Sequence, residues 1–261
     1  MGIDWKQAGK LIRPVPSYEE LIKRLLVIVS YDFVTETYNH TMEEAKEYAA
    51  CLLGSDPRKR YGDYLEKLEK AFSQLDNLNV KSYSEFIHRV RSREEAEVFC
   101  SRANMALEEL IRVLKFLLFW VLPTKMYLRE LIDKKNQTQL KYVATMRENN
   151  IRFTLDLLEK GRTGGSREKI AEETGIPRDF IFELVNRADF TRMPYVSGKT
   201  VRHYFGAGYK SLEQLARAEL NQLTREMSEY LDSMGIKLSR SFIELDSGII
   251  IAKVLPKLVE N

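Results

Sequence analysis

Residues 191–215 read Thr-Arg-Met-Pro-Tyr-Val-Ser-Gly-Lys-Thr-Val-Arg-His-Tyr-Phe-Gly-Ala-Gly-Tyr-Lys-Ser-Leu-Glu-Gln-Leu, and the fold turns on this stretch. Its residues predict a short helix end, a tight hairpin around Pro194 to Gly198, and a helix opening at Lys199. Val201, Tyr204 and Phe205 stand three and four positions apart, which makes one apolar stripe on a helix. Gly208 suits the left-handed conformation that ends many helices. Ser211 followed by Gln214 has the capping-box pattern, in which side chains satisfy the free amides of a new first turn. From Phe190 to Leu212 the cations Arg192, Lys199, Arg202 and Lys210 meet no Asp or Glu. Amides at a helix start with cations around them attract anions, and phosphate is the natural candidate.

Met193-Pro194-Tyr195-Val196-Ser197-Gly198-Lys199-Thr200-Val201 resembles the second half of a helix-hairpin-helix motif. The longer run, from Thr174-Gly175-Ile176-Pro177 through Ala188-Asp189-Phe190 to Leu215, is similar to an uncharacterised prokaryotic family built on tandem helix-hairpin-helix units. That family is a domain of unknown function, and the resemblance covers about residues 166–223. It implies binding of DNA or RNA backbones through hairpin amides, without reading base sequence. The expected nucleic-acid-binding residues are then Ser197, Gly198, Lys199, Thr200, Arg202 and Lys210. The usual Gly-hydrophobic-Gly core of such hairpins is Tyr195-Val196-Ser197 here, with Gly198 one position late.

Composition bounds the rest. The chain has 261 residues, 30% charged and 44% hydrophobic, which suits a globular protein with ample core. A net charge of +3 does not by itself imply nucleic-acid binding, so a basic surface has to be local. A second cationic run supplies Lys134, Lys135, Lys141, Arg147 and Arg152 against the single acid Glu148. It reads either as a solvated helix face or as an extension of the hairpin's basic surface. Cys51 and Cys100 stand far apart without paired histidines, so neither a metal nor any other cofactor is expected, and a reducing cytoplasm is. Met1 to Lys6 lacks the basic head and apolar core of a secretory leader. The apolar run Val113–Leu122 is interrupted by Lys115 and closed by Pro123, too short for a bilayer.

The expected architecture is all-α, an N-terminal multi-helix bundle over 1–160 followed by a C-terminal tandem helix-hairpin-helix domain. Ser17-Glu20, Thr41-Glu44, Ser82-Glu85 and Ser92-Glu95 all match the capping-box spacing, and Ser55 with Pro57 marks another helix start. Phe99, Ala103, Ala106, Leu110, Leu114, Leu117 and Val121 predict one long helix from Arg93 to Leu122, and Met126 to Arg147 a more polar one. Gly161-Arg162-Thr163-Gly164-Gly165 reads as a linker over 161–165, with Ser166 as the next cap and the hairpin domain over 166–235. The segment 236–261, with its β-branched Ser247–Leu255 stretch, is expected to pack on the core as a helical tail.

Residues 171–186 also fit a helix-turn-helix, with Arg178, Asp179, Phe182 and Asn186 facing outward on the second helix. No catalytic constellation appears: His40, His88 and His203 are scattered, and paired acids such as Glu43-Glu44 point about 100° apart on a helix. Three functions follow from different classes: a non-catalytic, sequence-independent nucleic-acid-binding module, a protein-interaction scaffold, and a small-molecule site beside Phe116, Phe119 and Trp120.

Overall fold

The computed structural model describes residues 5–54, 59–236 and 245–260. Among them are sixteen α-helices and no strand, only a lone antiparallel bridge between Tyr127 and Phe153. The chain is all-α. It divides into two compact units, Met1–Leu122 and Pro123–Asn261.

The first unit holds α1 (Trp5–Ile12), α2 (Tyr18–Val29), α3 (Asp32–Tyr38), α4 (Met42–Gly54), α5 (Lys59–Asp76), α6 (Tyr83–Arg89), α7 (Arg93–Ala103) and α8 (Leu107–Phe116). Its helix starts are written in side chains. Ser17, Thr41, Ser82 and Ser92 each accept the amide three residues on, and Glu95 completes a reciprocal box with Ser92. Tyr18 donates to the Val90 carbonyl at 2.6 Å, which ties α2 to the end of α6. The Lys115 ammonium donates to the carbonyls of Leu11 and Arg13, both at 2.7 Å, closing the C-terminal end of α1. Leu21, Leu25, Phe33, Phe72, Phe86 and Phe116 fill the core. The helix start expected at Ser55 and Pro57 lies outside the described residues.

The long helix expected from Arg93 to Leu122 is broken. Asn104 takes a left-handed φ of 46°, its amide satisfies the end of α7, and the Glu109 carboxylate accepts the Ala106 amide at 2.9 Å to start α8. Ala106 is thus an exposed cap, not a seam residue. Behind α8 the chain widens into a π turn, Leu117–Val121, just before Pro123. Phe116 meets Phe72 and Tyr64 edge-on at 6.0 and 6.4 Å, an ordinary aromatic core.

The second unit opens without the continuous helix expected over Met126–Arg147. Met126 and Leu128 bond to Thr154 and Arg152 across the lone bridge, a 3-10 turn covers Leu128–Glu130, and the Asn136 side chain caps α9 (Gln137–Glu148). Then come α10 (Thr154–Gly161), α11 (Gly164–Thr174), α12 (Arg178–Phe190), α13 (Gly198–Gly206), α14 (Leu212–Ala216), α15 (Leu220–Ser233) and α16 (Leu245–Val254).

The glycine run 161–165 lies inside this unit. Gly161 closes α10 where a Cβ would stand 3.1 Å from Val185, and Thr163, not Ser166, caps α11. Glu260 accepts the Gly164 amide at 2.8 Å, so the chain's last described residue returns to that turn. In the tail, α16 packs on α14 and α15 with Leu245, Ile249 and Ala252 buried; residues 237–244 lie outside the described set. No helix among the described residues is long and apolar enough to cross a membrane.

Gly206 sits where the Tyr230 ring of α15 lies directly against α13, leaving no room for a Cβ. Gly206→Ala is expected to cost about 1–3 kcal/mol of stability through overpacking. Urea denaturation of G206A, alone and with Tyr230→Leu, checks this: the second change recovers part of the loss if the ring is its cause.

Candidate functional site

Helix α12 delivers the chain to the hairpin through a buried ion pair. Arg192 Nε lies 2.7 Å from Asp189 Oδ1, and Arg192 Nη1 donates to the Pro256 carbonyl at 2.8 Å. Both side chains are almost wholly buried, and burial raises the Asp189 pKa while the Arg192 guanidinium opposes that rise. Arg192 therefore anchors the segment after α16 and does not belong to a solvent-facing cationic ring.

The hairpin itself runs from Met193 to Ser197. Tyr195 takes a left-handed φ of 56° with its side chain outward, the residue 65% exposed. Ser197 caps α13, accepting the Thr200 amide at 3.1 Å and sharing a 2.8 Å hydrogen bond with the Thr200 hydroxyl. The Val201 amide bonds the Ser197 carbonyl at 3.0 Å. Among the described residues the Gly198 and Lys199 amides meet no acceptor; Gly198 is buried against the Glu130 backbone and Lys199 is exposed.

A second segment closes on this start. The Glu130 carbonyl lies against the Cα of Gly198, so closely that any Cβ there would overlap it, and Arg202 Nη1 donates to the same carbonyl. The Glu130 carboxylate pairs with Lys134 at 2.7 Å. That hydrogen bond holds its pKa below the ordinary value; burial opposes it, and the charges of Lys134, Arg129 and Arg202 add to the lowering. Within α13, burial followed by the Lys199 and Arg202 charges lowers the pKa of His203. Arg202 thus ties the start of α13 to the Glu130 backbone, and Lys134 and Arg129 share that second segment with the Glu130 carboxylate.

Of the residues expected from sequence, the fold brings together Ser197, Gly198, Lys199, Thr200 and Arg202, and adds Lys134 from the second cationic run. Lys210 goes elsewhere. Its ammonium donates to the Phe205 carbonyl at 2.7 Å and lies over the Phe205 ring, at the far end of a nine-residue helix about 13.5 Å long. Lys135, Lys141, Arg147 and Arg152 are exposed along and around α9. Arg129 escaped the sequence reading because it precedes the lysine run and stands next to Glu130, which masks it in a charge count.

Of the four residues expected to face outward in the helix-turn-helix reading, Arg178 and Asp179 are exposed, Phe182 is half-buried and Asn186 is buried. Asn186 is buried and donates to the Phe182 carbonyl, Phe182 lies under the Arg167 guanidinium, and Arg178 pairs with Glu168 at 2.7 Å. Among the described residues no group of three His, Cys, Asp or Glu could hold a metal ion.

Residues 136–242 match the family described as a domain of unknown function, DUF4332. The match takes in the α9 to α15 region with both the hairpin and the Asp189–Arg192 pair, and leaves the first unit outside it. No curated protein and no solved structure gives a match.

Removing one partner of a buried pair strands the other charge, a loss of about 3–5 kcal/mol. Arg192→Met is expected to show it at neutral pH. The stranded Asp189 has a folded pKa above its unfolded value, so its penalty grows as pH rises past about 4 and shrinks below it. Chemical denaturation of R192M and the unaltered protein at pH 7 and at mildly acidic pH checks this. The stability gap should be smaller at the acidic pH.

Proposed function

We propose that the opening of α13 binds nucleic-acid phosphates, independently of base sequence and without catalysis. One observation carries the reading: the amides of Gly198 and Lys199 meet no acceptor among the described residues, at a helix start that bears Lys199 and Arg202 and packs on the Glu130 segment with Arg129 and Lys134. Phosphate oxygens accept from such amides, the helix dipole favours their charge, and arginine forks match their geometry. Ser197 and Thr200 add hydroxyls at the same edge. Such contacts position a strand and do not specify it, which gives affinities of about 10⁻⁴ to 10⁻⁶ M at physiological salt. The helix-hairpin-helix resemblance supports the same chemistry, although Tyr195 and Ser197 replace the usual hairpin glycines.

The packing of Gly198 on the Glu130 backbone favours a second reading, in which the hairpin is only a compact joint within a protein-interaction scaffold. The two part on salt dependence. Four phosphate contacts give log K against log salt a slope on the order of −3. Lys199→Glu is expected to weaken binding several-fold and flatten that slope, with the fold intact, because a glutamate in the first turn suits the helix dipole. Fluorescence anisotropy with labelled oligonucleotides at two salt concentrations measures both. Binding that ignores salt, or ignores K199E, contradicts the phosphate reading.

A further inference from the structure

Both exposed aromatic residues of the described chain stand beside this one cluster. Among the described residues, the exposed large hydrophobic side chains are Val98, Tyr127, Tyr195, Leu220 and Met234; only Tyr127 and Tyr195 are aromatic, at 51% and 65% exposure. Tyr195 lies three residues before Gly198, and Tyr127 three residues before Glu130, whose carbonyl abuts Gly198. Each ring's backbone is therefore within about 11 Å of the contact between the two segments. Every other tyrosine, phenylalanine or tryptophan whose burial is described is buried or half-buried. They stand 68 positions apart in sequence, and the Glu130–Gly198 contact holds the backbone of each within about 11 Å of one point.

We propose that Tyr195 and Tyr127 are base-stacking platforms, and that the ligand of this site is a single-stranded nucleic acid. The inference rests on the phosphate reading above and narrows it. A duplex keeps its bases stacked inward and offers a protein its phosphates and groove edges. A single strand also offers the flat faces of its bases. Aromatic rings bordering a cationic track take those faces up, tolerating any base because each has a π-face. Tyr127 is braced for this, its ring centroid 4.7 Å from that of Phe153, which fixes one face and leaves the side chain half in solvent. Tyr195 holds its ring at the hairpin tip from a left-handed backbone. The cations supply attraction along the sugar-phosphate chain, and the rings supply the preference for unpaired bases.

The test uses the full chain and three probes of equal length: an oligodeoxythymidine strand, the duplex it forms with its complement, and an abasic strand with the same phosphates. The unaltered protein should bind the oligodeoxythymidine at least about five-fold more tightly than either other probe. Tyr195→Gly removes the ring and suits the left-handed backbone, so the fold does not suffer. It should lose that advantage, binding oligodeoxythymidine as weakly as the abasic strand, with duplex affinity unchanged. Tyr195→Phe should keep it, and Tyr127→Ala should lose part of it. If Y195G binds oligodeoxythymidine as well as the unaltered protein while K199E still weakens binding, stacking is overturned and the phosphate reading survives. A preference for duplex overturns the inference in the same way. If no probe binds, both fall together.

Discussion

One main-chain oxygen organises the candidate site of the second unit. The Glu130 carbonyl accepts from Arg202 and presses against Gly198, so a 3-10 turn is fastened to the start of α13. A hydrogen bond from a charged donor contributes about 1.5–3 kcal/mol, more than a neutral one. The close approach demands glycine at 198, since any Cβ would overlap the carbonyl. The same contact sets the charge pattern. It brings Arg129 and Lys134 from one segment to Lys199 and Arg202 of another, and Glu130 then pairs with Lys134.

The neighbouring Arg192 shows how differently an apparently similar cation is used. Two residues past the end of α12, it turns inward, binds Asp189 and holds the Pro256 carbonyl. Buried charge of this kind is tolerated only when paired, and here the pair also pins the segment behind α16. Lys210 is likewise spent on structure, at the C-terminal carbonyls of α13 where cations suit the helix dipole. A linear charge count across 190–212 gives all four cations equal weight. The fold leaves Lys199 and Arg202 at the start of α13.

Local chemistry carried most of the secondary structure in readable form. The caps at Ser17, Thr41, Ser82, Ser92 and Ser211, and the left-handed glycines 175 and 208, are satisfied within a few residues of themselves, so sequence alone reveals them. Apolar spacing misled where a short interruption kept the phase. Ala103 and Ala106 continue the pattern of α7 into α8, yet Asn104 enters the left-handed region and Glu109 caps a new start. Glycine content misled too: Gly161 is there for close packing with Val185, and the turn after it is held by Thr163 and the distant Glu260. Of the candidate site, the hairpin residues were legible and their partner was not. No local rule places a carbonyl of residue 130 on residue 198; that contact belongs to tertiary packing, and Arg129 and Tyr127 follow from it.

On the proposed reading the Gly198 and Lys199 amides are the donors that receive an anionic strand. Amide proton and nitrogen shifts of this hairpin, followed by NMR during titration with a short single-stranded oligonucleotide, test it most directly. Saturable downfield amide-proton shifts are expected at Gly198 and Lys199, larger than those of Thr200 and Val201, whose amides already bond to Ser197. Unmoved Gly198 and Lys199 resonances in the presence of bound oligonucleotide would contradict it.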